Sequence, residues 1–317
     1  MGKFSRLAAL SLILVLIPAL IRPGAVIPPP IETELPRIDT GLQQSLEGVL
    51  SRLRLDGPLR NHRLAVSLVD ITDLDDPRYA GVNDREMMYA ASLPKIAILL
   101  AGYEKIAAGR MRYTRQVKEM FTRMVRFSSN GDASQAVQKV GFDYIAKVMT
   151  SPKYRLYDRE NGGGLWIGKA YGGPNDYWRR DPLHNISHGA TSYQVARYFL
   201  MLEQGRLVSP RYSAEMKEIL SDPGIHHKFV KGLEGRPDHL VYRKSGSWRN
   251  WHADSALVEA GGKKYIAVAL MEDPRGGEAL VQLIRALDDV ICHDEAPRLY
   301  RAGTQPAPGS IGRAALD

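Results

Sequence analysis

Ser92 and Lys95 are the residues whose types and spacing point most directly to chemistry. They stand where the apolar run Ile96 to Leu100 begins, and no other serine has lysine at the third position after it. A helix that starts at Ser92 places Lys95 one turn along the same face, within reach of the hydroxyl. A lysine at the start of a buried helix is costly unless its pKa falls, and a neutral amine can take the proton that an attacking serine must lose. Taken alone, the pair is better explained by a surface helix start.

A second polar stretch, Ser128-Ser129-Asn130, follows a segment with helical spacing and precedes Gly131. The Ser128 hydroxyl could relay a proton to a leaving group, while the Asn130 amide holds substrate or the Lys95 ammonium. The alternative is a plain helix stop, because serine, asparagine and glycine are common turn residues.

A third stretch, Lys244-Ser245-Gly246, comes at the end of the strand predicted over Leu240 to Lys244. Such a lysine can bind a substrate carboxylate, and the serine hydroxyl can add a hydrogen bond. The glycine would let a substrate approach the strand closely. The alternative is an edge strand whose lysine discourages pairing with other chains.

Together and in this order, the three stretches resemble the serine β-lactamases and penicillin-binding proteins, and most closely the class A β-lactamases. That family carries Ser-x-x-Lys, Ser-Asp-Asn and Lys-Thr-Gly. The resemblance extends from about Asp39 to Cys292. It implies acyl transfer through a serine ester, with a β-lactam or a cell-wall peptide as the small-molecule partner.

The resemblance also assigns roles residue by residue. Ser92 is expected to be the acylated nucleophile, Lys95 its proton acceptor and Ser128 the proton shuttle. The backbone N–H groups of Ser92 and Ser247 would form the oxyanion hole. The expected substrate-binding residues are Asn130, Lys244, Ser245, Gly246 and Ser247.

One family feature is missing from this sequence. Class A enzymes carry a glutamate, in a Glu-x-x-Leu-Asn stretch, that activates the deacylating water. The corresponding loop here offers Glu160, Asp176 and Asp181, none with those neighbours. Without such a base an acyl group on Ser92 leaves slowly, which is penicillin-binding behaviour. The alternatives are therefore a peptidase acting on D-Ala-D-Ala-type cell-wall peptides and a non-catalytic cell-wall binding protein.

The elements that must position these residues follow the order helix, strands, a block of helices, strands, helix. The two strand groups join most simply into one antiparallel sheet, flanked by the N- and C-terminal helices. We therefore predict an α+β fold over 38–293, in which a helical lobe of about 92–220 is inserted. Active sites commonly lie between two such lobes.

Both ends of the chain differ from this domain. A basic start (Lys3, Arg6) and an apolar run from Leu7 to Ile21 predict that 1–22 is a signal peptide or an N-terminal membrane anchor. Residues 23–37 form a proline-rich linker, and 294–317 should be a disordered tail. The protein is thus expected to be exported, either periplasmic or membrane-anchored facing the periplasm.

The composition of the chain limits which classes of binding partner are expected. Hydrophobic residues make up 44% and charged residues 25%, as in ordinary folded proteins, and the formal charge is +8. No basic stripe with interleaved aromatic residues is found, so a nucleic-acid partner is not expected. Cys292 is the single cysteine, and His184 and His188 lie among turn residues. We expect no metal and no cofactor, and a monomer.

Overall fold

The computed structural model describes residues 34–173 and 177–293. The predicted signal or anchor segment, most of the proline-rich linker and the predicted C-terminal tail lie outside these residues. The helices are α1 (Thr40–Arg52), α2 (Asp56–Arg60), α3 (Lys95–Ala107), α4 (Arg115–Arg126), α5 (Asn130–Val140), α6 (Phe142–Met149), α7 (Ser192–Glu203), α8 (Pro210–Leu220), α9 (Phe229–Leu233) and α10 (Gly276–Cys292). Within the described ranges, none of these helices is both long enough and apolar enough to cross a membrane.

The strands form one main sheet and two small ones. They are β1 (Leu64–Asp70), β2 (Arg78–Val82), β3 (Met88–Tyr89), β4 (Tyr157–Asp158), β5 (Gly163–Gly164), β6 (Trp166–Ile167), β7 (His188–Ala190), β8 (His239–Trp248), β9 (Trp251–Ala260) and β10 (Lys263–Glu272). The main sheet has the order β2-β1-β10-β9-β8, and every neighbouring pair is antiparallel. The prediction that the two strand groups join in one antiparallel sheet is therefore confirmed.

Each face of this sheet packs against its own helices, because side chains alternate along a strand. Val66 and Leu68 of β1 lie in a core with α1 and α10, to which Leu46 and Leu287 contribute. Ala65 and Val69, on either side of them in β1, face the other core, with α7 and the helical lobe. The predicted α+β fold, with terminal helices on one face and a separate helical lobe, is confirmed.

The helical lobe is built around α3, which is buried on nearly every side. Tyr103 stacks on Phe121 of α4, with ring centroids 5.9 Å apart. Gly102 makes this approach possible, since a Cβ atom there would lie 2.3 Å from the Phe121 ring. Helix α3 is thus held firmly, and its first residue, Lys95, is fixed with it.

Two predicted boundaries differ from the structure at the site. Helix α3 begins at Lys95 rather than at Ser92, because the preceding residues form a tight turn with bonds such as Lys95 N to Ser92 O (3.2 Å). Strand β8 does not end at Lys244, since its ladder with β9 continues to the Trp248–Trp251 pair. The third motif therefore lies inside a strand, where its backbone is rigid.

Candidate active site

The candidate nucleophile, Ser92, lies in the tight turn between β3 and α3. Ala91 adopts a positive φ of 49°, a conformation that residues with a side chain rarely take. Neighbouring groups hold this turn: Ala90 N donates to His188 O at 2.8 Å, and the Tyr171 hydroxyl reaches Ala91 O at 3.4 Å. Ser92 itself is partly exposed at the floor of a cleft.

Gly246 of β8 packs directly against this turn. A Cβ atom at Gly246 would lie 2.0 Å from Ala90 O and 2.8 Å from Ser92 N. The sequence pointed to a glycine that admits the substrate. The structure gives a different reason, because the glycine admits the turn that carries the nucleophile. The Ser92 and Ser247 backbones are thereby brought together, as an oxyanion hole requires.

We expect Gly246→Ala to separate strand β8 from the nucleophile turn. The added methyl group cannot be accommodated without moving backbone, so the free energy of unfolding should fall by about 1–3 kcal/mol. Acylation of Ser92 by a β-lactam, which the family resemblance implies, should fall by about 100-fold, because a displacement near 1 Å misaligns the reacting groups. Denaturant unfolding and acylation kinetics would measure the two effects. Gly57→Ala, where a Cβ atom meets nothing within 4 Å, is the matched control. Unchanged acylation in Gly246→Ala would contradict this account.

The Lys95 side chain is fully buried and faces the second motif. Its Nζ donates to Ser128 O (2.6 Å) and Asn130 Oδ1 (2.9 Å), with Ser129 O at 3.4 Å. Burial lowers the pKa of Lys95 to about 7. Near neutral pH a large fraction of the amine is therefore uncharged and able to accept a proton.

Ser128 lies between two buried lysines. Its hydroxyl accepts from Lys244 Nζ at 3.0 Å and lies 3.5 Å from Lys95 Nζ. Ser128 has a φ of 55°, and the bond from Lys95 to its carbonyl holds this unusual backbone in place. Burial, with Lys95 nearby, lowers the pKa of Lys244 well below its ordinary value. A hydroxyl bridging two amines is well placed to pass a proton from one group to another.

The structure thus brings together most of the predicted site residues. Asn130 and Ser247 line the cleft beside Ser92, whereas Lys95 and Lys244 lie buried beneath it. Ser245 is also buried, and its carbonyl accepts from Lys244 Nζ at 2.7 Å. Lys244, Ser245 and Gly246 are not among the described residues that line the cleft, so of the predicted substrate-binding residues only Asn130 and Ser247 line it directly.

The cleft has a volume of about 640 Å³, and its walls include residues from 169–173 and 177–188 and the β8–β9 hairpin. Its aromatic wall includes Tyr177, Trp248 and Trp251. Its cationic lining residues are Lys169, Arg180 and Arg249, and no carboxylate lines it among the residues described. This electrostatic balance favours an anionic ligand.

The sequence did not predict that two loop residues, Tyr171 and His188, lie beside Lys95. The Tyr171 ring lies 4.4 Å from Lys95 Nζ and 4.4 Å from the His188 ring. His188 Nε2 bonds Lys169 O at 3.1 Å, so its Nδ1 carries the lone pair, which is buried without a partner in the described structure. Burial lowers the pKa of His188 to about 4, so the ring is neutral at pH 7. The only sequence signal was their place in a long, glycine-rich loop.

The two acidic loop candidates that the structure describes, Glu160 and Asp181, do not supply a base at the cleft. Glu160 is exposed and pairs with Arg155 at 2.8 Å. Asp181 is buried and holds the loop together, accepting from Tyr157 Oη and from three backbone N–H groups. Asp176 lies outside the described residues.

Other polar groups in these regions have structural partners. Arg243 forms a buried, bidentate ion pair with Asp254, in which both hydrogen bonds are 2.7 Å long. Its guanidinium therefore does not face substrate. His184 bonds Gly162 O at 2.9 Å, so it does not form a metal site with His188.

Away from the cleft, three potential metal ligands, His239, Asp288 and Cys292, have ligand atoms within 4.8 Å of one another. Asp288 already accepts from Arg236, whose charge would compete with a metal ion.

Comparison with solved structures gives the same fold. A β-lactamase from Sphaerobacter thermophilus has a TM-score of 0.62 and 16% identity, over 78% of this chain and 96% of that one. A β-lactamase from Xanthomonas campestris has a TM-score of 0.63 and 14% identity, over 78% and 98%. A protein named PBP-A has a TM-score of 0.59 and 19% identity, over 80% and 97%. At such low identity these likenesses establish the fold alone.

Comparison at the level of sequence identifies the family. No curated protein sequence matches this chain. A family model described as the β-lactamase enzyme family matches residues 61–135 and 170–293, which together are more than half of the chain and include all three motifs. The chain therefore belongs to the β-lactamase enzyme family.

Proposed function

We propose that the protein is a serine hydrolase that opens the amide bond of β-lactams through an acyl-enzyme on Ser92. The observation that carries this proposal is the meeting of three chain segments at one point. Gly246 packs against the turn that carries Ser92, Lys95 begins the helix that follows this turn, and the Ser128 hydroxyl lies between the amines of Lys95 and Lys244. This arrangement supports roles for Ser92 as nucleophile, Lys95 as proton acceptor and Ser128 as proton shuttle.

Acylation follows from this geometry. The neutral amine of Lys95 takes the Ser92 proton as Oγ forms a bond to the lactam carbonyl carbon. The N–H groups of Ser92 and Ser247 stabilise the resulting oxyanion, at about 3 kcal/mol for one such donor. The C–N bond then breaks, and the nitrogen takes the proton of the Ser128 hydroxyl, which the Lys95 ammonium replaces. Water must afterwards hydrolyse the ester to regenerate Ser92.

A carboxylated substrate fits the charges of the site. A carboxylate beside Ser128 would face the Lys244 amine, and the cationic lining of the cleft adds attraction over a longer range. β-Lactams with a carboxylate next to the lactam nitrogen meet this requirement, and so do peptides that end in a carboxylate. A variant of the structurally similar PBP-A is described as an acyl-enzyme complex with penicillin G.

A second candidate is a penicillin-binding peptidase that acts on D-Ala-D-Ala-type cell-wall peptides. It is favoured by one observation, that no carboxylate lines the described part of the cleft. His188 is a weak substitute, because a pKa of about 4 makes it a poor proton acceptor. Deacylation without a stronger base would be slow.

The setting that we propose is outside the cytoplasm, periplasmic or held in the membrane by the N-terminal segment and facing the periplasm. The basic start and apolar run of residues 1–22 support it, and so does a charge of +8 near anionic cell-wall polymer. We further propose that the protein acts as a monomer.

Intact-protein mass spectrometry after mixing with benzylpenicillin would test these functions. An adduct that forms and vanishes within seconds is the expected result for a β-lactamase. An adduct that persists for hours would overturn β-lactam turnover and support the peptidase, to be checked by release of D-alanine from a D-Ala-D-Ala peptide. No adduct at any time would overturn both and leave a non-catalytic cell-wall binding protein.

A further inference from the structure

Lys228 is a buried lysine directly behind the strand that carries the third motif. Only 3% of its surface is exposed, and it adopts a positive φ of 49° just before α9. Its Nζ donates to Gly246 O at 2.6 Å and to Ala253 O at 3.0 Å. The two carbonyls belong to residues paired across the β8–β9 ladder. None of the steps proposed above uses this amine.

The carbonyl that Lys228 binds belongs to the same peptide unit as the Ser247 N–H. The described chain has no cis peptide, and in a trans peptide the C=O and N–H bonds point in opposite directions. With Gly246 O held in the interior by Lys228, the Ser247 N–H is directed to the opposite side of the strand. Ser247 lines the cleft on that side, and the Ser92 N–H lies against the neighbouring Gly246.

We propose that Lys228 is a positioning residue for the oxyanion hole, acting through the Gly246–Ser247 peptide. A cation on a peptide oxygen draws electron density from the nitrogen and makes the N–H a stronger donor, as chains of hydrogen bonds polarise one another. It also fixes the direction of that N–H before the reaction begins. Lys228 does not touch substrate. The inference rests on the proposed acyl transfer at Ser92 and adds a residue to it.

The Lys228 amine stays largely charged at neutral pH, although its surroundings lower its pKa. Burial lowers its pKa to about 8, the Asp254 carboxylate opposes this shift, and Arg243 adds to it. His227 and His252 lie near enough to feel the Lys228 charge, and both have lowered pKa values. At pH 7 the ammonium is therefore the main form.

Removing the charge should weaken the oxyanion hole while the fold survives. Lys228→Gln keeps an NH₂ group that can bond a carbonyl but carries no charge, Lys228→Met removes both features, and Lys228→Arg restores the charge. We expect acylation by benzylpenicillin to fall at least about tenfold in the glutamine and methionine variants, and arginine to recover part of it. Lys217→Met, which removes a lysine paired with Glu203 and Glu259 away from the cleft, is the control.

A merely structural role is distinguished by the infrared spectrum of the acyl-enzyme. A strong oxyanion hole lowers the stretching frequency of the ester carbonyl, so the band should move to higher frequency in Lys228→Gln and Lys228→Met. Inhibition by a boronic acid, whose tetrahedral adduct occupies the same hole, should weaken in parallel with acylation. An unchanged band and unchanged boronic acid affinity in a folded variant would overturn the inference. A wild-type protein that forms no adduct would instead overturn the proposed function.

Discussion

Exchanging Ser92 for alanine is expected to abolish the covalent adduct with benzylpenicillin. It should also reduce any hydrolysis of a chromogenic β-lactam by at least about 10⁴-fold, since removing the nucleophile leaves only binding and the oxyanion hole. The variant should fold normally, because Ser92 is partly exposed and the turn is held by backbone contacts of Ala90 and by the side chain of Tyr171. Intact mass and initial rates would measure the two effects.

Ser187→Ala is the matched control, because Ser187 also lines the cleft but lies on the opposite loop. It should form the adduct at close to the wild-type rate. An adduct that survives in Ser92→Ala would place the nucleophile elsewhere. Peptide mapping of that adduct would then identify the residue. Retained hydrolysis without any adduct would argue against an acyl-enzyme altogether.

Much of the fold could be predicted because its signals are local. Apolar residues stand at helical spacing in Asp39 to Leu55, the segment that forms α1, and two strand-like segments flank Gly261-Gly262, which joins β9 to β10. Serine followed by proline is a common helix start, and at the start of α8 the Ser209 side chain caps the helix just before Pro210.

The errors near the site have tertiary causes. The turn at Ser92 is not helical because Ala91 is held in an unusual conformation by partners far along the chain, including Tyr171 and His188. No local pattern reports such partners. Strand β8 runs past Lys244 because β9 supplies a ladder partner for each later residue, which a single-strand pattern does not contain.

The sequence identified the motif residues by their types and order, but it could not predict the environment of their side chains. The sequence pointed to Lys95, Ser128 and Lys244, yet the hydroxyl between two buried amines is visible only in three dimensions. Lys228 shows the limit most clearly, since a lone lysine in a loop carries no sequence signal. Its proposed role follows entirely from its hydrogen bond to the carbonyl of Gly246.

Replacing Lys95 by methionine is expected to slow acylation by about 10²–10⁴-fold, the usual contribution of a general base. Methionine fills a similar volume, so the core around α3 should keep its packing, while the proton acceptor for Ser92 and the bonds from Lys95 to Ser128 O and Asn130 Oδ1 are lost. Lys105→Met is the control, because Lys105 is a half-buried lysine of the same helix that donates to Lys139 O and Val140 O rather than to the second motif. Stopped-flow acylation with a chromogenic β-lactam would measure the rates, and circular dichroism would confirm folding.

The pH dependence of the acylation rate tests the same role of Lys95. Burial lowers the pKa of Lys95 from 10.5 to about 7, and only the neutral amine accepts a proton. Acylation in the wild-type protein should therefore rise with pH from 5, by about tenfold for each unit while the ammonium dominates, and level off above pH 7. Lys95→Met should lose this rise. A wild-type rate that falls as pH increases through 7, or the same slope in Lys95→Met, would show that another group accepts the Ser92 proton. A wild-type rate that is already level at pH 5 would instead point to neutral His188, because a pKa of about 4 places the rise at lower pH.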